Sequence, residues 1–249
     1  MSCGEIAVSP ICIYRSPMRA ILIANKGDND GGHVVAYFQK LGYTFTYLTR
    51  EESEQWPPVA SDVQLVVSLG SDWSVYWADV AHHVHRESEL LKSAHQAGIP
   101  LFGVCFGAQI LAFALGGEVK RAHHTEIGWF LVDWEPQFTQ KTADFAQKEW
   151  FQWHYDMLIP PHDAQIWAKS TAGVQAFQCG RSFGVQFHPE VTPAVVARWS
   201  RVGTEAGPVE LREAGVDPEL LLEETARRAD TYASQCEVLL AYFVAQMHK

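Results

Sequence analysis

The sequence has few cysteines, a deficit of basic residues and no long hydrophobic run, and each scarcity excludes a class of protein. Its 249 residues include 5 cysteines and no C-x-x-C pair, which is typical of reduced thiols in a cytoplasmic protein rather than of a disulfide framework. With 19 Lys and Arg against 29 Asp and Glu, the net charge of −10 argues against a protein that binds nucleic acid. No apolar run approaches the ~18 residues that cross a bilayer, so no membrane span is predicted.

The chain does have the apolar and aromatic content of a folded protein. It is 47% hydrophobic and contains 13 Phe, 9 Trp and 8 Tyr, which excludes intrinsic disorder over most of its length. Residues 1–17 lack both the cationic start and the cleavage pattern of a secretory signal, so we expect a disordered leader there, with Met18 as an alternative start. We predict one domain over residues 18–202 and a helical extension, packed on the same domain, over residues 203–249.

Strand and helix patterns alternate in the first half of this domain. Apolar runs predict strands at 20–24, 43–48, 64–69 and 100–104, and helical patterns lie at 33–41 and 76–97. Five further strands are predicted at 117–121, 128–133, 165–170, 174–178 and 183–187, and a long amphipathic helix at 218–247. The fold class is therefore α/β, with a mostly parallel central sheet flanked by helices, an antiparallel extension of that sheet and a C-terminal helical tail.

The segment 101–111 carries the clearest sign of chemistry. An apolar strand leads directly into a helical pattern, and Cys105 lies at the junction between Gly103 and Gly107. This spacing is that of a nucleophile elbow with cysteine in place of serine, where the glycines allow a tight turn. The helix N-terminus favours the thiolate, and the N–H of Phe106 points toward a developing oxyanion. A buried, inert cysteine is the alternative interpretation.

A histidine and a glutamate at the end of a later strand supply a base for this cysteine. His188 follows the strand 183–187, and Pro189 favours an extended backbone at His188. In an extended chain His188 and Glu190 project to the same side, so the carboxylate can orient one ring nitrogen and leave the other for Cys105. On its own, the segment His188-Pro189-Glu190 would be interpreted as a surface turn. The elbow and this segment together favour a Cys-His-Glu triad.

A set of motifs in a fixed order then connects the sequence to a known family. The pieces are Gly103-Val-Cys-Phe-Gly-Ala-Gln109, Gly116-Gly-Glu-Val119, Glu126-Ile-Gly128, Trp153-His-Tyr-Asp156 and Gly184-Val-Gln-Phe-His-Pro-Glu-Val191. On these residues the chain resembles the class I, or triad, glutamine amidotransferases, whose domain occurs in GMP synthase, anthranilate synthase and carbamoyl-phosphate synthase. The resemblance covers residues 18–200 and is greatest to free-standing members related to the GMP synthase glutaminase domain.

The resemblance implies a mechanism with defined roles. Cys105 attacks the side-chain carboxamide of glutamine, His188 protonates the departing ammonia, and water hydrolyses the γ-glutamyl thioester while Glu190 orients His188. Gln109 matches a family position that contacts the bound glutamine.

Two departures from the family pattern concern the substrate pocket. Gly70 and Ser71 match the loop whose backbone N–H completes the oxyanion hole with that of Phe106, but the family usually has Gly-Gly-Pro where this chain has Gly70-Ser71-Asp72. Tyr155 stands where the family often has glycine, so it narrows the glutamine pocket or stacks on a different substrate. We expect Tyr155 and Asp156 to belong to the substrate-binding set.

Three functions remain open at this stage. The chain has no G-x-x-x-x-G-K-[ST] loop, so the first is a glutaminase component that gives ammonia to a separate ATP-dependent synthetase. The second is a stand-alone hydrolase of γ-glutamyl bonds, and the third is a non-catalytic scaffold. No cofactor or metal is expected, since His82, His83 and His85 with Glu89 are interpreted as a solvated helix face.

Overall fold

The structure is a computed structural model that describes residues 17–139, 145, 148–201 and 207–247. The predicted leader therefore lies outside the described residues, apart from Pro17. Among the described residues, no helix is both long enough and apolar enough to span a membrane.

An eight-stranded sheet forms the centre of the molecule. Its strands are β1 (Met18–Ala24), β2 (Tyr43–Thr49), β3 (Val63–Ser68), β4 (Leu101–Val104), β6 (Asp133–Trp134), β8 (Gln165–Ser170), β9 (Gly173–Cys179) and β10 (Ser182–Val185). They lie in the order β2-β1-β3-β4-β10-β9-β8-β6. The first five strands in this order are parallel to one another, whereas the pairings of β10 with β9, β9 with β8, and β8 with β6 are antiparallel. The predicted α/β class, with its antiparallel extension, is confirmed.

Two strands form a separate antiparallel pair, and here the prediction was wrong. The segments 117–121 and 128–133 were expected as two strands of the main sheet, but 118–131 is one strand, β5 (Glu118–Leu131), paired with β7 (Glu149–Ile159). No strand was predicted at β7, because its pattern is inverted: His154 and Asp156 are buried, whereas Trp153 and Tyr155 are only partly buried. Alternation of hydrophobic residues cannot find a strand whose buried face is polar.

Helices cover both faces of the main sheet. They are α1 (Gly32–Lys40), α2 (Ala81–Gln96), α3 (Phe106–Ala114), α4 (Pro136–Thr139), α5 (Pro193–Trp199), α6 (Gly207–Glu213) and α7 (Pro218–Met247). Alternate residues of β1 enter two separate hydrophobic clusters, since Leu22 packs with α1 and α7 while Ile23 packs with α2 and α3. The predicted helix at 76–97 begins later, at Ala81, after a short 3₁₀ turn.

The C-terminal helix α7 contributes apolar side chains to the hydrophobic core. Leu239, Leu240 and Phe243 are buried, and the ring of Phe243 lies 5.0 Å from that of Phe102 on β4. The helix therefore completes the core on the face that also carries α1.

Candidate active site

Cys105 lies in a strained turn between β4 and α3. It is the one residue other than glycine with a positive φ (50°) among those described. A Cβ on Gly103 would clash with the carbonyl of Gly107, and a Cβ on Gly107 would clash with the carbonyl of Ser68. The N–H of Cys105 donates to the carbonyl oxygen of Val185 at 2.8 Å. The two glycines thus permit a close packing of backbones that forces the cysteine into an otherwise unfavourable conformation.

His188 and Glu190 follow β10, the strand that pairs with β4. Nδ1 of His188 lies 2.8 Å from Oε1 of Glu190, and both side chains are almost fully buried. Burial alone would lower the pKa of His188, but the charges of Glu190 and Cys105 outweigh it and raise that pKa well above its ordinary value. A protonated ring, with both nitrogens donating, therefore suits this position.

Cys105 and His188 meet at one backbone carbonyl. Sγ of Cys105 lies 3.8 Å from the carbonyl oxygen of Trp153, and Nε2 of His188 lies 3.4 Å from the same oxygen. A Cβ on Gly70 would lie 3.7 Å from Cβ of Cys105 and 3.2 Å from Cε1 of His188. The side-chain amide of Gln186 donates to Sγ at 3.5 Å. The fold thus brings together a thiol and an imidazole that are far apart in the sequence.

A pocket of about 420 Å³ opens above these two side chains. The predicted residues Gly70, Ser71 and Tyr155 line it together with Cys105 and His188.

The wall of this pocket is rich in carboxylates. Asp28, Glu51, Asp72 and Glu210 all line it. Burial raises the pKa of Asp72, and the nearby charges of Asp28 and Glu51 raise it further. Burial also raises the pKa of Glu210, a shift that a hydrogen bond from Trp153 opposes and the charge of Asp72 increases. Lys26 and Arg198 also line the pocket, and Arg198 forms an ion pair with Asp28 at 2.7 Å. The carboxylates that a cationic ligand would stabilise are therefore Asp72 and Glu210, whose repulsion further raises the pKa of Glu210.

Three of the predicted residues lie behind the pocket wall rather than on it. Gln109 is buried, and its amide donates to the side-chain oxygen of Gln186 at 3.2 Å and to the carbonyl of Asp156 at 3.5 Å. The carboxylate of Asp156 accepts hydrogen bonds from Tyr76 at 2.8 Å and from Ser74. Phe106 is likewise buried and is not among the residues that line the pocket.

Tyr155 reaches across to the loop that follows β3. Its hydroxyl donates to the carbonyl oxygen of Asp72 at 2.8 Å, and the guanidinium carbon of Arg121 lies 4.3 Å from the centre of its ring. Burial raises the pKa of the Tyr155 hydroxyl, so it stays a neutral donor. Tyr155 thus forms part of the pocket wall.

Sequence reasoning missed several residues around the site. Trp199 packs its ring edge-on against His188, at 4.9 Å between centres, and the Tyr232 hydroxyl donates to the His188 carbonyl at 2.8 Å. Glu210 accepts a hydrogen bond from the Trp153 indole at 2.6 Å. All three lie at the end of the recognised motifs or beyond it. Arg50 is buried beneath the pocket, although it stands in a run of acidic residues that resembles a solvated turn.

Among the described residues, no group of three or more His, Cys, Asp and Glu side chains is placed to hold a metal ion. His83, which was considered as a ligand, instead stacks on Trp73 and shares a hydrogen bond of 2.7 Å with Ser53.

The fold and these contacts define an α/β protein with a cysteine at a nucleophile elbow. Residues 35–197 match the family model for the class I glutamine amidotransferases, and the chain belongs to that family.

Known relatives agree with this assignment. Over 154 residues the chain is 33% identical to the glutamine-hydrolyzing GMP synthase of Thermus thermophilus, a match that covers 58% of this chain and 29% of that protein. It is 36% identical over 97 residues to a separate GMP synthase subunit from Saccharolobus solfataricus, covering 37% of this chain and 52% of that one. The chain thus spans well under two thirds of these relatives. Its domain is related to the glutaminase portion of GMP synthases.

Solved structures resemble the chain over nearly its whole length. A glutamine amidotransferase from Thermotoga maritima superposes with a TM-score of 0.80 and 29% identity, covering 92% of this chain and 99% of that one. A glutamine amidotransferase from Methylobacillus flagellatus, at 24% identity and a TM-score of 0.79, shares the fold.

Proposed function

We propose that this protein hydrolyses the side-chain amide of glutamine through a γ-glutamyl thioester on Cys105. The observation that carries the proposal is the convergence of Cys105 Sγ and His188 Nε2 on the Trp153 carbonyl, at the floor of one pocket. Glu190 holds the opposite ring nitrogen of His188. This arrangement supplies a nucleophile, a proton carrier and a carboxylate that orients the proton carrier.

The reaction follows from these positions. The Cys105 thiolate attacks the amide carbon, and the C–N bond breaks as the His188 imidazolium gives its proton to the departing ammonia. Water then attacks the thioester while neutral His188 accepts a proton from it, and the C–S bond breaks to release glutamate. Glu190 stabilises the imidazolium in each half of the cycle, which agrees with the raised pKa of His188.

The negative oxygen formed in each attack requires hydrogen-bond donors. We assign this role to the backbone N–H of Phe106, the first residue of α3, and to the N–H groups of the loop at Gly70 and Ser71. Gln109 and Asp156 support the wall from behind, and Tyr155 bounds the pocket for the substrate.

The C-terminal extension contributes to this pocket. We propose that residues 18–202 form the amidotransferase domain and that residues 203–249 are an extension of the same domain. Gly207 and Glu210, at the start of α6, line the pocket beside Cys105. The extension therefore acts on substrate choice as well as on stability.

The fate of the ammonia gives the first candidate role. The related GMP synthase chain of Saccharolobus solfataricus is named as one subunit of its enzyme, so a glutaminase related to this chain occurs as a separate polypeptide. By analogy we propose that this chain supplies ammonia to an ATP-dependent synthetase that binds it.

A stand-alone γ-glutamyl hydrolase is the second candidate, favoured by the acidic pocket wall. Asp72 and Glu210 suit a substrate that carries an additional ammonium group, which glutamine lacks. Glutamine would then be a poorer substrate than a γ-glutamyl amide of a diamine. The Glu210→Gln variant should lose about tenfold in kcat/KM for that cationic amide and little for glutamine.

Release of glutamate from glutamine by the purified chain tests the common mechanism. The Cys105→Ala variant should lose activity by at least about 10⁴-fold, whereas Cys179→Ala, which removes a buried thiol outside the pocket, should retain it. Stimulation by an added synthetase with ATP supports the first candidate, and preference for γ-glutamyl amides supports the second. If no γ-glutamyl substrate is turned over and Cys105 resists a glutamine-analogue alkylator, the scaffold interpretation holds.

A further inference from the structure

Arg50 is a buried cation directly beneath the catalytic pocket. Its side chain is 1% exposed and forms an ion pair with Glu87 of α2, at 2.7 Å between Nε and Oε2 and 3.3 Å between Nη2 and Oε1. Its remaining hydrogen bonds go to Asn25 Oδ1 (2.8 Å), Gly70 O (2.9 Å), Ser68 Oγ (3.1 Å) and Leu69 O (2.8 Å). A buried ion pair is costly to form, and a hydrophobic pair of similar volume often matches it in stability. Stability alone therefore does not explain why this position has a buried ion pair.

The two backbone contacts of Arg50 fix the direction of the loop after β3. The guanidinium has only hydrogen-bond donors, so the carbonyl oxygens of Leu69 and Gly70, which accept from it, must point toward Arg50. In a trans peptide the C=O and the following N–H point in opposite directions, and the described residues contain no cis peptide. The N–H groups of Gly70 and Ser71 therefore both point away from Arg50.

Two consecutive carbonyls on the same side do not occur in an extended strand, where they alternate. The chain has thus left the strand geometry of β3 at this point and forms a concave pair of N–H donors, an arrangement that binds anions. Gly70 and Ser71 line the pocket with Cys105. The loop accordingly offers its donors on the side where an oxyanion forms.

The same guanidinium also touches the second oxyanion donor segment. Its carbon lies 4.8 Å from the centre of the Phe106 ring, a cation–π distance, and the Phe106 N–H begins α3. One side chain thus contacts both segments that would hold the oxyanion. Lysine has a single point of charge and cannot reproduce this planar fork.

We propose that Arg50, held by Glu87, is the positioning residue that aims the N–H groups of Gly70 and Ser71 at the oxyanion, a proposal that rests on the proposed thioester mechanism. Arg50 does not touch the substrate. It acts through the orientation of two peptide groups, so its loss lowers transition-state stabilisation and leaves substrate binding and the thiol largely unchanged.

The test compares Arg50→Lys with an Arg50→Met/Glu87→Met double variant, in which an apolar pair replaces both buried charges so that neither charge is left unpaired. Arg228→Met, which removes an arginine paired with Glu149 and Glu224 away from the pocket, is the matched control. We expect kcat with glutamine to fall about 10²-fold in both Arg50 variants, with KM within threefold of wild type and with no change in the control.

Two further measurements separate positioning from a structural role. Alkylation of Cys105 by iodoacetamide forms no oxyanion, so its rate should stay within threefold of wild type. Binding of glutamate γ-semialdehyde, which forms a thiohemiacetal with an oxyanion, should weaken about as much as kcat falls. A kcat within threefold of wild type, or equal losses in kcat and alkylation, would overturn the proposal. Absence of turnover in the wild-type enzyme with every γ-glutamyl substrate would instead refute the proposed function, and the semialdehyde comparison would still test Arg50.

Discussion

Two buried histidine–glutamate pairs in the described part of the protein have different surroundings. His188 and Glu190 lie 2.8 Å apart beside Cys105, whereas His154 and Glu126 lie 3.1 Å apart across the β5–β7 pair. All four side chains are nearly inaccessible to solvent. In both pairs a carboxylate fixes one ring nitrogen.

The second ring nitrogen distinguishes the pairs. Nδ1 of His154 bonds to the carbonyl of Asp156 on its own strand at 3.0 Å, and Glu126 also accepts hydrogen bonds from Ser170 and Gln175. That pair is enclosed in a polar network behind the site. Nε2 of His188 instead faces the pocket floor that it shares with Cys105. A buried His–Glu pair is therefore chemically useful only where the free side of the ring meets both a nucleophile and a substrate cavity.

Substitution of each histidine should give the largest contrast. His188→Asn is expected to lower kcat with glutamine by about 10⁴-fold, because the variant lacks the proposed proton carrier. His154→Asn should keep kcat within tenfold and lower the free energy of unfolding by about 1–3 kcal/mol, because it leaves buried partners unsatisfied. Steady-state kinetics and urea unfolding measure the two effects. Equal losses of activity at equal folded fractions would show that the two pairs do not differ in role.

Substitution of the carboxylates should repeat this contrast on a smaller scale. Glu190→Gln is expected to reduce kcat by about 10²-fold, since the ring remains but its imidazolium is no longer stabilised. Glu126→Gln should act chiefly on stability, with a loss of about 1–3 kcal/mol, because the carboxylate accepts several buried hydrogen bonds. A Glu126→Gln enzyme with normal stability and a large kcat defect would contradict this division.

The pH dependence of stability should report on the His188–Glu190 pair. The pKa of His188 is raised in the folded state by Glu190 and Cys105 in spite of burial, so the folded protein holds this proton to higher pH than the unfolded chain. The stabilisation is complete below about pH 6.5 and is lost as pH rises toward the folded pKa, at no more than about 1.4 kcal/mol per pH unit. Urea unfolding between pH 6 and 9 measures the slope, which His188→Asn should reduce. If the slope of the unfolding free energy against pH were unchanged in His188→Asn, other titrating groups would be its cause.

The smallest expected effect concerns the backbone support of His188. The hydroxyl of Tyr232, on α7, donates to the His188 carbonyl and accepts a hydrogen bond from the Phe151 N–H at 3.5 Å. Tyr232→Phe should lower the free energy of unfolding by about 1 kcal/mol and change kcat less than threefold, because Glu190 still orients the ring. Thermal unfolding and kinetics measure both. A kcat loss comparable to that of Glu190→Gln would mean that α7 positions the histidine as strongly as the carboxylate does.

Local patterns in the sequence were sufficient for much of the fold. The parallel strands β1, β3 and β4 are largely apolar runs, β2 alternates threonine with aromatic side chains, and the elbow at Cys105 needs only neighbouring glycines, so these features could be predicted. The strand β7 could not, because its buried residues His154 and Asp156 satisfy their polar groups through partners distant in sequence. The roles of Gln109 and Asp156 remain predictions, and the structure places both behind the pocket wall.

Most strands and helices and the types of reactive side chain followed from the amino-acid sequence, because strand and helix patterns, tight glycine turns and the thiol and imidazole side chains are local properties of the chain. Which of these groups share a cavity depended on the tertiary structure. The convergence of Cys105 and His188 on the Trp153 carbonyl, the burial of Arg50 beneath the loop and the entry of Glu210 into the pocket all join segments that are remote in sequence. Such contacts depend on how strands and helices pack in three dimensions, and no local pattern records that packing.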